Sequence, residues 1–101
     1  MADRLRFHPL VASDVRDAIA WYDEISVGLG NRFRARTDSR FDDILANPKF
    51  FGRVFDDVRF ARVRRFPYVI LFRVVGEIVF VLGVFHAASD PEKWRRRAAE
   101  N

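Results

Sequence analysis

The sequence predicts an α+β fold in which an N-terminal hairpin of two helices packs on a small antiparallel β-sheet. Apolar residues recur at helical spacing from Leu10 to Leu45, with one break at Gly28-Leu29-Gly30. Two later runs rich in Val, Ile and Phe, Tyr68–Val75 and Ile78–His86, are separated by Gly76-Glu77, which is typical of a β-hairpin. With further short elements at both ends of the chain, the predicted order is β-α-α-β-β-β-α.

The N-terminal half begins with a short candidate strand, Leu5 to Phe7, which Pro9 ends. The first helix is predicted from Leu10 to about Ile25 and the second from about Asn31 to Leu45, where Asn47-Pro48 ends it. Because the break between them is so short, the two helices should form an antiparallel hairpin. The apolar positions that define the two stripes are Val11, Val15, Ala18, Ile19 and Tyr22, then Leu29, Phe33, Phe41 and Ile44 with Thr37.

The C-terminal half carries the strands. A loop is predicted over Phe50 to Asp57, and Val58 to Arg65 alternates weakly as a strand. Gly76-Glu77 fits a two-residue type II′ turn, with glycine at the position that needs a positive φ. Asp90 as N-cap and Pro91 as first helical residue predict a last helix from Pro91 to about Ala99.

The turn fixes the register of the hairpin. If Val75 pairs with Ile78, the further pairs are Arg73 with Phe80, Leu71 with Leu82, and Val69 with Val84. One face is then almost wholly apolar and should lie under the helices; it carries Tyr68, Ile70, Phe72, Val74, Val79, Val81, Gly83 and Phe85. The opposite face is the candidate functional face; it carries Val69, Leu71, Arg73, Ile78, Phe80, Leu82, Val84 and His86.

Length and composition bound the class of protein. A chain of 101 residues with 50% apolar residues and 11 Phe can bury a single core, so residues 1–101 are expected to form one domain. The absence of Cys excludes disulfides and thiolate metal sites, and the reducing cytosol is the expected compartment. The first residues hold no apolar run typical of a secretory signal. Arg73 and Glu77 interrupt the one run long enough to suggest a membrane span, so no membrane partner is expected.

The net charge of +4 is unevenly placed. Residues 1–57 carry a net charge of −1 and residues 58–101 a net charge of +5. A basic sub-region favours an anionic partner such as nucleic acid, the ribosome or an acidic protein segment. Arg outnumbers Lys 16 to 2. This bias suits bidentate contacts to phosphate or carboxylate, and a GC-rich genome produces the same bias.

Candidate site residues lie in this basic part. His86, at a strand end, is either a general base, with Arg64 and Arg73 as catalytic partners, or orders the turn into the last helix. The arginines on and after the predicted third strand either clamp phosphates or carboxylates or form a solvated face; they are Arg59, Arg62, Arg64, Arg65 and Arg73. In the last helix, Trp94 either packs on the sheet or binds a partner. The arginines beside it, Arg95, Arg96 and Arg97, either bind an anionic partner or complement the helix dipole. No phosphate-binding glycine loop, nucleophile elbow or metal-spaced His set occurs, so no cofactor or metal is expected.

Several short motifs occur in an order that resembles the RelE/ParE superfamily of type II toxins. They are Ala20-Trp21-Tyr22, Gly30-Asn31-Arg32-Phe33, Pro48, Arg59, Phe66-Pro67-Tyr68, and His86 to Asp90. The resemblance covers nearly the whole chain. It implies a helical hairpin on a small sheet, wrapped by an antitoxin segment. It also favours the turn-ordering role for His86, since ParE-type members tend to have His near this position.

The superfamily divides by mechanism. RelE-type members cut mRNA on the ribosome with sets of Arg, Lys, Glu, His and Tyr, whereas ParE-type members poison DNA gyrase by binding. This chain has no Tyr after Tyr68, no Lys between Lys49 and Lys93, and no Glu between Glu24 and Glu77. The resemblance therefore favours the gyrase poison. The alternatives are a ribosome-dependent mRNA endonuclease and a non-toxic binding module of the same fold.

The predicted functional face also predicts a partner. Leu71, Phe80 and Leu82 would form an exposed apolar patch beside Arg73, larger than a monomer usually leaves bare. An acidic, partly disordered antitoxin is expected to cover this patch and to fold on binding. On this hypothesis Leu82→Asp abolishes the complex.

Overall fold

The computed structural model describes residues 4–100. Met1 to Asp3 and Asn101, which the predicted domain 1–101 includes, lie outside the described residues. The elements in chain order are β1 (Leu5–Phe7), α1 (Val11–Ile25), α2 (Leu29–Ala46), a short 3₁₀ turn (Pro48–Phe50), β2 (Arg53–Phe55), β3 (Val58–Arg62), β4 (Tyr68–Val75), β5 (Ile78–His86) and α3 (Pro91–Ala99). The predicted α+β class and the order of the main elements are confirmed.

The five strands form one sheet in the order β1-β5-β4-β3-β2. β1 lies parallel to β5 and the other neighbours are antiparallel, so the sheet is mixed rather than antiparallel as predicted. The predicted loop from Phe50 to Asp57 contains β2, which pairs irregularly with β3 and is too short to show a period. β3 ends at Arg62, three residues before the predicted end, and Arg65 takes a left-handed φ of 72° in the turn that follows.

α2 begins at Leu29, inside the segment predicted to be a break. Gly28, at a φ of 85°, reverses the chain, and Gly30 already lies within the helix. The N–H of Gly30 donates to Oδ1 of Asp23 at 2.9 Å. A Cβ at Gly30 would lie 2.6 Å from the carbonyl oxygen of Ile19, so glycine permits the close approach of α1 and α2.

The β-hairpin follows the predicted register only near its turn. Gly76 has a φ of 60°, as the type II′ turn requires, and Arg73 pairs with Phe80. Leu71 then pairs with Gly83 and Val69 with Phe85, so the predicted pairs of Leu71 with Leu82 and Val69 with Val84 are wrong. The reason is a β-bulge on β5, where Leu82 is an extra residue.

One extra residue exchanges the two faces of β5 beyond the bulge. Val84 belongs to the core under the helical hairpin, whereas Phe85 belongs to the core on the opposite face. His86 pairs with Tyr68 and lies with its ring 5.3 Å from the Tyr68 ring, on the helical-hairpin face. The predicted face is therefore wrong for four residues of β5, Gly83, Val84, Phe85 and His86.

The sheet is covered on both faces. α1 and α2 cover the larger core, in which Phe33, Ile44, Ile70, Phe72 and Val81 are fully buried. α3 covers a smaller core on the other face, formed by Val58, Val69, Leu71, Leu82, Phe85, Trp94 and Ala98. Asp90 accepts the N–H of Glu92 at 3.0 Å, which confirms the predicted N-cap of α3.

A buried ion pair joins α1, β5 and α3. β1 pairs with Val79 to Val81, so it leaves the end of β5 uncovered at this edge. There Asp14 accepts the N–H of Val84 at 3.1 Å and Arg97 donates to the carbonyl of Leu82 at 3.0 Å. Arg97 also binds both carboxylate oxygens of Asp14, at 2.7 and 3.0 Å. The pair thus satisfies the strand edge in place of a neighbouring strand.

Candidate functional site

Two of the predicted catalytic residues, His86 and Arg73, lie on opposite faces of the sheet. His86 lies on the helical-hairpin face of the sheet, at the end of β5. Arg73 lies on β4 and its side chain reaches α3, on the opposite face. Arg64 lies in the turn between β3 and β4. A general base must lie within hydrogen-bond reach of the proton it removes, so His86 on one face of the sheet does not share a catalytic site with Arg73 on the other.

His86 contributes to the turn that leads into α3. Its Nδ1 accepts the N–H of Ala88 at 3.0 Å, and its carbonyl accepts both the N–H of Ser89, at 3.0 Å, and the Ser89 hydroxyl, at 2.6 Å. The lone pair of Nδ1 is therefore occupied by this hydrogen bond and is not available to a substrate proton. These contacts support the turn-ordering interpretation of His86.

The phenol beside His86 is also poorly suited to act as a base. Burial raises the pKa of Tyr68 above its ordinary value of 10.0. Burial, and secondarily the nearby Tyr68, raise the pKa of Tyr22 in the same direction. Both phenols stay protonated at neutral pH, and a base that is almost never ionised contributes little to catalysis.

Two of the predicted binding arginines are engaged within the fold. Arg73 donates from Nε to Asp57 at 3.0 Å and from Nη1 to the carbonyl of Ala98 at 3.3 Å, so it attaches the end of α3 to the sheet. Arg59 donates to the carbonyl of Phe51 at 2.6 Å and fixes the segment before β2. These contacts account for both arginines without an external partner.

The last helix is also largely committed to the fold. Trp94 is buried against Phe85, and its Nε1 donates to the hydroxyl of Ser89 at 2.9 Å. Arg95 lies over the ring of Phe55, with its Cζ 4.7 Å from the ring centroid. Arg97 forms the buried pair with Asp14. Arg96 is exposed, and within residues 4–100 it forms no ion pair or side-chain hydrogen bond.

The predicted apolar patch is not exposed. Leu71 and Leu82 are each 0% exposed, and Phe80 is half-buried against the same cluster. The prediction that these residues offer a bare surface is wrong, because α3 folds back over them with Trp94 and Ala98. The sequence indicates that α3 forms but does not indicate which face of the sheet it covers.

Arginines instead converge where β3 turns into β4. We call this the basic groove, a concavity of about 520 Å³ lined by Arg40, Arg62, Val63, Arg64, Arg65, Phe66 and Pro67. Arg40 donates to the carbonyl of Arg62 at 2.8 Å and pairs with Asp43 at 3.0 Å. Arg62, Arg64 and Arg65 are exposed, and no carboxylate within residues 4–100 forms an ion pair with them. Charge in the sequence indicated these three arginines, but Arg40 comes from α2 and was missed.

A second, apolar groove lies between β1, α1 and α2. It has a volume of about 660 Å³ and is lined by Phe7, His8, Pro9, Val11, Ala12, Val15, Arg16, Ile19, Arg34 and Asp38. Farther along α1, Trp21 and Ile25 are 59% and 60% exposed and lie one helical turn apart. The sequence placed Val11, Val15 and Ile19 on the core stripe and gave no sign that part of this stripe borders a groove.

Two further features are absent from residues 4–100. No group of three His, Cys, Asp or Glu side chains lies close enough to hold a metal ion. None of the helices is both long and apolar enough to cross a lipid bilayer.

Residues 5–91 match the model of a protein family described as the ParE toxin of the type II toxin–antitoxin system, parDE. Among solved structures, the chain is similar to one from the chromosomal ParDE toxin–antitoxin system of P. aeruginosa, with a TM-score of 0.72 and 19% identity over 81% of this chain and 92% of that one. It is also similar to a double arginine-to-alanine mutant of E. coli toxin RelE in complex with an antitoxin RelBc peptide, with a TM-score of 0.64 and 22% identity over 95% and 94% of the two chains. At 19% and 22% identity, these similarities show that the chain shares the fold of the two structures. No protein of curated function shows significant sequence similarity to the chain.

Proposed function

The chain belongs to the ParE toxin family of type II toxin–antitoxin systems, and from that premise we propose that it inhibits growth by binding and poisoning DNA gyrase. A cognate acidic antitoxin protein, folding on the toxin, neutralises it. The observation that carries the proposal is the separation of two predicted catalytic residues: His86 and Arg73 lie on opposite faces of the sheet. A protein that acts by binding does not need them together.

The chemistry of the basic groove supports the same proposal. Cleavage of RNA needs a group that takes a proton from the attacking hydroxyl and a group that gives one to the leaving oxygen. The side chains that line the basic groove are arginines, apolar residues and a proline. An arginine stays protonated at neutral pH, so it can hold a phosphate but not act as a base there.

Ribosome-dependent cleavage of mRNA is the second candidate function. Three exposed arginines at the basic groove favour it, because they suit an RNA backbone as well as a DNA backbone. The two candidates differ in what is damaged in the cell, so a single expression experiment separates them.

Induced expression of the chain is expected to produce DNA breaks, an SOS response and filamentous cells, with translated mRNA intact. In vitro, a reaction of purified gyrase with supercoiled plasmid should accumulate cleaved DNA when the protein is added. Mixing the protein with its antitoxin beforehand should prevent this cleavage. The matched control is the same gyrase reaction without the added protein. Cleavage of mRNA between codon positions, with DNA left whole, would favour the nuclease instead. A soluble chain that causes neither kind of damage would identify a non-toxic binding module.

His86→Ala is expected to leave toxicity nearly unchanged. The substitution removes the hydrogen bond to Ala88 and should lower the free energy of unfolding by about 1 kcal/mol. A general base contributes about 10²–10⁴-fold to a rate, so a nuclease that depends on His86 would lose almost all activity. Growth inhibition and thermal melting should be measured on the same preparation. Loss of mRNA cleavage by a fully folded His86→Ala variant would contradict the proposal.

A further inference from the structure

We propose that the basic groove is a docking surface for the phosphodiester backbone of duplex DNA, held by Arg62, Arg64 and Arg65. Duplex DNA is the natural choice because the proposed target, gyrase, holds such DNA, and in this respect the inference rests on the proposed function. The toxin would then contact DNA directly while it is bound to the gyrase–DNA complex. The chemistry of the groove carries the inference in three steps.

The first step is charge. Arg62, Arg64 and Arg65 lie within four residues at the end of β3 and in the turn that follows, and all three are exposed. Arg40 supports the groove from behind, since its Nε donates to the carbonyl of Arg62 and its Nη1 pairs with Asp43. A guanidinium group makes bidentate bonds to phosphate oxygens, so three exposed groups can hold successive phosphates.

Arg65 adopts a backbone conformation that arginine rarely takes. Its φ of 72° lies in the left-handed region, which glycine or asparagine occupies more easily than arginine. Two hydrogen bonds close the turn. The N–H of Val63 donates to the carbonyl of Tyr68 at 2.9 Å, and the N–H of Phe66 donates to the carbonyl of Val63 at 3.3 Å. Strained backbone conformations are frequent at sites that bind ligands.

The second step distinguishes duplex from single-stranded nucleic acid. Recognition of single strands relies on aromatic side chains on which the bases stack. Phe66, the aromatic residue of the basic groove, packs with its ring centroid 4.9 Å from that of Tyr22 and 5.2 Å from that of Phe33. The neighbouring Tyr68 packs 4.9 Å from Phe33. Both rings pack against the protein core and are not available to stack on bases. The groove therefore offers contacts to the phosphate backbone of the nucleic acid, and such contacts are sufficient to bind a duplex.

The third step distinguishes DNA from an acidic peptide. A disordered antitoxin segment that folds on binding must bury apolar surface to offset its ordering. Four of the seven residues that line the basic groove are arginines, whereas most of the residues that line the apolar groove between β1, α1 and α2 are apolar. Binding driven by charge alone matches phosphate better than it matches a folding peptide.

The test measures binding of the purified full chain to a short, fluorescently labelled DNA duplex over a series of salt concentrations. Three phosphate contacts predict that log K falls with log salt with a slope of about −2.7, at about 0.9 for each contact. Arg64→Ala/Arg65→Asn should reduce this slope by about 1.8 and weaken binding to every duplex sequence alike. Asparagine is chosen at position 65 because it tolerates the left-handed conformation.

The matched control is Arg32→Ala/Arg36→Ala, which removes two exposed arginines from α2 and leaves the same net charge. The inference expects this control to keep the wild-type slope. Equal losses in the two double variants would overturn the inference, since general charge would then explain the binding. Thermal melting of each variant shows that a loss does not come from unfolding.

Two competitors test the class of partner. Single-stranded RNA of equal length and polyglutamate should each displace the duplex less effectively than unlabelled duplex does. Better competition by RNA would overturn the assignment to DNA, and better competition by polyglutamate would indicate a protein partner. Gyrase is absent from this DNA-binding assay. If the protein fails to bind DNA in it but still poisons gyrase, only this inference is contradicted. DNA binding without gyrase poisoning would instead remove the proposed function.

Discussion

Replacing Arg97 with alanine is expected to lower the free energy of unfolding by about 3–5 kcal/mol, the range for breaking a buried ion pair by removing one partner. The side chains of Arg97 and Asp14 are 10% and 11% exposed, and two short bonds join them. Without Arg97, the Asp14 carboxylate stays in this buried position with no opposite charge, and the carbonyl of Leu82 loses its donor. Small domains are stable by about 5–15 kcal/mol, so the loss is a large share of the total.

The matched control for this prediction is Arg96→Ala, because Arg96 is the exposed neighbour of Arg97 in the same helix. For a domain of this size, Arg97→Ala should lower the melting temperature by at least about 12 °C, at about 4 °C or more per kcal/mol. Arg96→Ala should change the melting temperature little. Replacing the pair together by Asp14→Leu/Arg97→Met should recover part of the loss, since a buried pair is often no more stabilising than apolar residues of similar volume. Equal melting of the two single variants would contradict the role given to the pair.

The helices and the hairpin could be predicted because their signals are local. Apolar periodicity gave α1 to within one residue at its start, and composition gave β4 and β5 with the bounds observed. The turn at Gly76 was predictable because few residues accept its positive φ. Each of these features is decided by neighbours in the chain, which the sequence displays directly.

The bulge in β5 was missed although one signal for it exists. An isolated glycine inside a strand often marks a bulge, and Gly83 lies next to the extra residue Leu82. A Cβ at Gly83 would overlap the ring of Phe85 and lie 2.9 Å from Nη1 of Arg97, so a larger residue would have to displace both side chains. Recognising this would have placed His86 on the correct face of the sheet.

The candidate site was predictable where it depends on charge and not where it depends on packing. Arg62, Arg64 and Arg65 lie within four consecutive residues and share the basic groove. Arg40 joins them from 22 residues away, and Asp14 and Arg97 meet across 83 residues. Contacts of this separation are decided by how α2 and α3 dock on the sheet, and periodicity within each helix does not specify the docking.

The docking of α3 leads to a second large expected effect, for Leu82→Asp. Leu82 is 0% exposed and packs in the core that α3 covers with Trp94 and Ala98. An isolated carboxylate in such a place has no water and no partner, and the cost exceeds that of burying a neutral polar group, itself about 2–7 kcal/mol. The variant is therefore expected to lose its cooperative unfolding transition and to accumulate in the insoluble fraction.

Two matched variants separate loss of folding from loss of a binding surface. Val75→Asp places the same charge at the end of β4, where the side chain is 58% exposed, and should melt like the wild type. Leu82→Ala should fold but lose about 2–5 kcal/mol of stability. If Leu82 instead lay on a bare antitoxin-binding surface, Leu82→Asp would melt normally and lose only the complex. A folded Leu82→Asp variant that fails to bind antitoxin would therefore contradict the position of α3, since the burial of Leu82 depends on that helix lying over it.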